Sequence, residues 1–160
     1  VRWWHWLIVW VALGIAMGLL APDYNAAQTA DDADAFRAVF SADERGRYLA
    51  AAIVDIFFAI AYALLAVSVA RLVTTDRWHL RVIARGAAGA VVFAAICDEI
   101  ENVLVMANIV AYEDVDDAAI ERMGALYWPK WGVGLAGAGV LLVTLVLSKL
   151  AGRREQRSIT

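Results

Sequence analysis

Hydrophobic residues along this chain fall into four long blocks, covering about residues 3–20, 48–73, 84–112 and 131–149, with polar stretches between them. A hydrocarbon core of ~30 Å needs ~20 helical residues, so each block is long enough to cross a bilayer, allowing for tilt. None shows the period-2 alternation of a barrel strand. Helices, which pair their backbone groups internally, are therefore predicted. The expected architecture is all-α: a transmembrane four-helix bundle forming one integral membrane domain over residues 1–160. The first block follows Arg2 and has signal-peptide features. However, it is long for that role, rich in tryptophan, and not directly followed by a small-x-small cleavage pattern, so it reads as a retained helix.

The polar stretches carry helix-start signals. Thr29 and Asp32 form an N-cap pair for a short extramembrane helix at about 31–40 in the first outer loop. Ser41-Ala-Asp-Glu44 is a capping-box pattern, in which the two side chains answer each other's backbone N–H groups, directly before the second block. Asp76 is the expected N-cap of the third helix. Asp114 or Asp116 starts another short helix leading toward Pro129, where a proline should kink or restart the chain at the mouth of the last span.

Composition and charge sharpen this picture. The chain is 62% hydrophobic and 19% charged, and its charges are segregated along the sequence. Of fourteen basic residues, nine (Arg2, Arg71, Arg77, Arg81, Arg85, Lys149, Arg153, Arg154 and Arg157) flank one side of the predicted bundle. The positive-inside rule makes that side cytoplasmic, with both termini there, and favours a bacterial plasma membrane. The other side is rich in Asp and Glu. Trp3, Trp4 and Trp6 at one boundary, and Tyr127, Trp128 and Trp131 at the other, fit interfacial belts. No basic patch interleaved with aromatics points to nucleic acid. Cys97 is the only cysteine, which leaves no intrachain disulfide, and it is expected to pack as a small apolar residue.

The third block breaks its own pattern with Asp98, Glu99, Glu101 and Asn102. One Asp near the centre of a spanning helix costs about 2.5–3.5 kcal/mol on insertion scales, so three carboxylates must face the bundle, a partner or water. Asp98, Glu101 and Asn102 stand at i, i+3 and i+4 and share a face; Glu99 flanks it, and Asn108 falls near it. The second block adds Asp55 and Tyr62, and the fourth adds Lys130 at its outer end. At ~1.5 Å per residue, Asp55 lies about 24 Å from Arg71, Glu101 about 24 Å from Arg85 and Lys130 about 28 Å from Lys149. These charges therefore share a level in the outer half of the membrane, with Asp98 somewhat deeper. Asp55, Tyr62, Asp98, Glu99, Glu101, Asn102 and Lys130 are the candidate ligand-binding or proton-handling residues.

Several chemistries are unfavoured. His5 and His79 are far from the carboxylates, so neither a zinc nor a di-iron centre is expected, and no cofactor is. The serines lack a histidine at their level, and no P-loop or dinucleotide fingerprint is present. Gly132, Gly134, Gly137 and Gly139, with Ala136 and Ala138, predict close packing of the last helix.

Asp55-x-x-Phe58 with Tyr62, Asp98-x-x-Glu101-Asn102 and an early lysine in the last span, Lys130, together resemble a pattern of small, uncharacterised four-span bacterial membrane proteins. The resemblance covers roughly residues 55–131. It implies that these positions belong together and implies no activity. The function expected from the residues is an outward-facing intramembrane carboxylate site that binds or helps transport a proton, a cation or a small amine-bearing ligand. Four spans are few for alternating access, so a homo-oligomer or an accessory subunit of a larger membrane complex is expected. Two alternatives stay open. One is an acid/base enzyme acting on a lipophilic substrate such as a lipid or isoprenoid. The other is a structural subunit with the charges as an internal tie.

Overall fold

In the computed structural model, residues 2–39, 41–73 and 77–157 are described, with the side chains of 42 and 152–157 excepted. The chain is all-α, with no strand among the described residues. Four helices are long and apolar enough to span a membrane: α1 (Trp3–Leu20), α4 (Arg45–Ala70), α5 (Trp78–Val110) and α7 (Tyr127–Arg157). Three short helices lie in the connections: α2 (Tyr24–Gln28) and α3 (Ala33–Val39) before α4, and α6 (Asp117–Gly124) before α7.

The helices outrun the apolar blocks. α4 begins at Arg45 and α5 at Trp78, ahead of their apolar cores, and α7 continues through the charged segment past Lys149. Arg, Lys, Glu and Gln are good helix formers, and that segment contains no proline, with Gly152 its one weak helix former. Pro129 falls in the first turn of α7, where its missing N–H has no partner to lose, so it starts the helix rather than kinking it.

Local starts follow side-chain chemistry. Asp116 caps α6 by accepting the Ala119 N–H at 2.8 Å. Ahead of α4, Glu44 Oε2 accepts the Ser41 N–H at 3.0 Å, the return half of a capping box, and the Ser41 hydroxyl at 3.0 Å. These bonds hold the Glu44 carboxyl below its ordinary value, the backbone bond most, and Arg47 adds a smaller pull in the same direction. The start of α3 differs from the sequence expectation. Asp32 itself accepts the Ala35 N–H at 2.7 Å, while Thr29 ends α2 and donates its hydroxyl to the Asn25 carbonyl at 2.9 Å. Asp76 and Phe40, which the sequence reading assigned to a cap and to the short helix, lie outside the described residues.

α5 is the hub. It packs along α7 and α4 and touches α6 and α2, whereas α1 packs chiefly on α4. Of the apolar window of α5, 44% is buried, against 0% for α1. This difference decides which helix can carry charge. The buried positions of α5 run through Ala84, Ala87, Ala88, Val91, Ala94, Ala95, Asp98, Glu101, Asn102, Val105 and Ile109, an i, i+3/i+4 stripe. Its outer face shows Val82, Ile83, Phe93, Ile96, Ile100 and Val103. Polar groups inside and bulky aliphatics outside invert the soluble pattern, as a bilayer demands.

Two apolar clusters stack along the bundle. One, near the short helices, includes Tyr24, Ala27, Phe36, Tyr48, Val105, Ile109, Ile120 and Met123. The other, toward the opposite end, includes Ala66, Leu80, Ala84, Ala88, Val91 and Leu141. Asp55, Asp98, Glu101 and Asn102 lie between the two in sequence along α4 and α5, and all four are buried.

Candidate functional site

Small residues set the geometry of this layer. A Cβ on Gly137 would stand 2.9 Å from the Ala87 carbonyl oxygen and 2.9 Å from the Ala90 Cβ; one on Gly134 would stand 3.0 Å from the Ala94 Cβ. α7 therefore lies directly against α5, as small residues at a helix interface permit. One to two turns beyond these contacts, the same register carries Lys130 over the polar face of α5. Its Nζ lies 2.9 Å from Asp98 Oδ1 and 2.8 Å from Glu101 Oε2, and all three residues are buried. The ammonium also lies 6.0 Å from the Tyr127 ring centroid and 5.7 Å from that of Trp131, within cation–π range.

α4 contributes the other wall. The Tyr62 hydroxyl donates to Asp98 Oδ2 at 3.2 Å, so both oxygens of Asp98 are engaged. Phe58, one turn earlier, meets Tyr62 edge-on at 5.9 Å and stacks on Trp10 of α1 at 5.5 Å. α1 thus supports the site through Phe58 without lining it.

The connection before α4 covers the layer. The Tyr24 hydroxyl donates to Asn102 Oδ1 at 3.0 Å. Gln28 Nε2 donates both to Asn102 Oδ1 and to Asp55 Oδ2, each at 3.3 Å. Burial, and then the neighbouring Asp55 carboxylate, hold the Tyr24 phenol well above its ordinary value, so it remains a hydrogen-bond donor. α2 therefore forms a roof over Asp55 and Asn102.

The roof is fastened in turn to the second connection. Ala33 N–H donates to Asp117 Oδ1 at 3.0 Å, Arg37 Nη1 to the Val115 carbonyl at 2.9 Å, and the Tyr112 hydroxyl to the Arg37 carbonyl at 3.0 Å. Arg45 closes the same end, bonded to Glu113 at 3.0 Å and lying 4.3 Å from the Tyr112 ring centroid.

Of the residues singled out from sequence, Asp55, Tyr62, Asp98, Glu101, Asn102 and Lys130 come together. Glu99 stays half-buried at the edge, outside the cluster's hydrogen bonds, because it is one helical step round from Asp98. Asn108 is drawn away: its amide contacts Met123 Sδ of α6 at 3.9 Å. Tyr24 and Gln28 were missed. Their i, i+4 spacing, with Ala21 and Ala27 on the same side, was the available signal.

The arrangement has an imbalance. Among the described residues three buried carboxylates share one lysine's neighbourhood: Asp98 and Glu101 contact its ammonium, Asp55 accepts from Gln28 instead, and Glu101 Oε1 is buried without a hydrogen-bond partner. No three His, Cys, Asp or Glu side chains among the described residues converge tightly enough to hold a metal ion. Chemically, the layer sets one ammonium against two carboxylates and leaves a third carboxylate on a neutral amide. Comparison with known proteins finds no matching family model, no similar curated protein and no similar solved structure.

Proposed function

We propose that this chain is a multi-pass protein of a bacterial plasma membrane, with both termini cytoplasmic, whose carboxylate layer binds a proton, a small cation or an amine-bearing ligand and assists its transport. The carrying observation is the imbalance. Among the described residues, Asp98 and Glu101 share Lys130 while Asp55 has the neutral Gln28 as its partner, so fully ionised the three leave two negative charges uncompensated in a buried site. A buried charge needs a partner or a proton, so the layer is built to take up positive charge. The hydrogen-bonded cover of Tyr24 and Gln28 supports reading the present arrangement as the occluded form, which opens on the acidic side when α2 lifts. The nine basic residues at the other end support the orientation. A four-span chain serves this role as a homo-oligomer or as an accessory subunit.

Infrared difference spectroscopy on the purified protein in liposomes tests this reading. Adding methylammonium or sodium at fixed pH should weaken a protonated-carboxyl band and release protons, and Asp55→Asn and Glu101→Gln should each remove part of that response. If the wild type shows no such response and the two variants lose only stability, the charges are an internal tie and the binding reading is wrong.

A further inference from the structure

The end of the bundle away from the carboxylate layer holds a second, unrelated feature. α1 and α4 run antiparallel, with Arg47 at the start of α4 donating to the Leu20 carbonyl at the end of α1 at 3.2 and 2.9 Å. The start of α1 therefore meets the end of α4. There, Arg2, Trp3, Trp4, Ser68, Arg71 and Leu72 enclose a cleft of about 400 Å³. Arg2 and Arg71 are exposed, and neither forms an ion pair with a carboxylate among the described residues. Two guanidinium groups without a carboxylate partner among the described residues share one cleft with two indoles at the boundary of the spanning helices. A guanidinium presents a planar fork of N–H donors that matches phosphate oxygens, and indoles favour the headgroup level. Ser68 adds a hydroxyl donor and Leu72 an apolar wall.

We propose that this cleft binds the phosphate of an anionic phospholipid. The occupant is a lipid rather than a soluble anion, because the cleft lies at the end of two helices whose outer faces are already apolar: Ile8 and Val11 on α1, and Leu64 on α4, are exposed below it. A zwitterionic headgroup would bring its own ammonium toward Arg2 and Arg71. Basic groups at a membrane surface each favour anionic lipid, and two acting together give a preference on the order of thirty-fold.

The test is native mass spectrometry of the full chain released from micelles containing equal amounts of phosphatidylglycerol and phosphatidylcholine. The wild type should retain phosphatidylglycerol preferentially. Arg2→Gln with Arg71→Gln should reduce that preference at least tenfold. Arg81→Gln with Arg85→Gln, which removes the same charge from exposed positions on α5 at the same end, should leave it intact. Arg2→Lys with Arg71→Lys keeps the charge but loses the forked hydrogen bonding, and should fall between. Millimolar inorganic phosphate should not displace the lipid. Equal losses in the Arg2/Arg71 and Arg81/Arg85 glutamine pairs would reduce the effect to diffuse charge and overturn the site. So would displacement by inorganic phosphate, or a wild type without preference. Asp55→Asn keeps the lipid preference in either case, which separates this result from the fate of the carboxylate layer.

Discussion

Replacing Lys130 by Met keeps an unbranched apolar side chain one atom shorter and removes the ammonium, with its charge and its N–H donors. The ammonium contacts Asp98 at 2.9 Å and Glu101 at 2.8 Å. At an effective dielectric constant of ~20, each contact is worth about 6 kcal/mol before desolvation. Desolvation of the three groups offsets most of that, since Lys130 is only 7% exposed, Asp98 4% and Glu101 0%. What the substitution leaves is two buried carboxylates without their shared partner, a change that costs about 3–5 kcal/mol. Denaturant unfolding in mild detergent, followed by tryptophan fluorescence, measures it; Trp131 beside the site provides a local reporter. Combining Lys130→Met with Asp98→Asn and Glu101→Gln should recover most of the stability, because both carboxylates that touched the ammonium are then neutral, while Asp55 keeps its hydrogen bond from Gln28. A cost below about 1 kcal/mol at neutral pH, or a triple variant no more stable than Lys130→Met, would refute the idea that the lysine is the main counter-charge of the layer.

Other consequences are equally direct. Gly137→Leu drives a side chain into the Ala87 carbonyl and Ala90, so it should cost about 1–3 kcal/mol or more and separate α7 from α5, read as faster hydrogen exchange in both helices. Tyr24→Phe removes one of the two donors to Asn102 Oδ1 and should cost about 1–2 kcal/mol, with exchange rising first in α2 and α3. Glu44 should titrate by NMR below an ordinary glutamate, and Ser41→Ala should move it part of the way back. Because its folded value is depressed, the stabilisation it contributes is present above the ordinary carboxylate range and is lost as pH falls through the folded value.

Much of this was legible in the chain because the bilayer is a demanding solvent. Blocks of apolar residues near the membrane thickness leave little choice but helices, and four were expected and four are found. The meeting of Asp55, Glu101, Asn102 and Lys130 was also readable, since a constant rise per residue turns sequence distance into depth. What rises outside the spans could not be read that way. Tyr24 and Gln28 sit on a five-residue helix whose position depends on tertiary contacts with α5 and α3; their i, i+4 spacing puts them on one face but does not say what that face meets. Asn108 was placed near the carboxylate face by helical phase alone, but it lies beyond Val105, where α6 covers α5 and Met123 takes its amide. Thr29 lost the capping role to Asp32 because α3 starts one residue after the aspartate.

The peripheral seat of α1 bears on the order in which such a bundle comes together. Once every helix has been threaded into lipid, acyl chains cover an aliphatic surface as well as another helix does, so association needs a different driver. For α4, α5 and α7 the driver is chemical: carboxylates and a lysine cannot stay in hydrocarbon without each other. For α1 it is mainly shape, the Trp10 ring on Phe58 and the bare backbone at Gly14 lying against the edge of the same ring, with Arg47 on the Leu20 carbonyl as a tie at one end. α1 precedes the other three long helices in the chain, yet is expected to dock last, onto a three-helix assembly already closed around its polar middle.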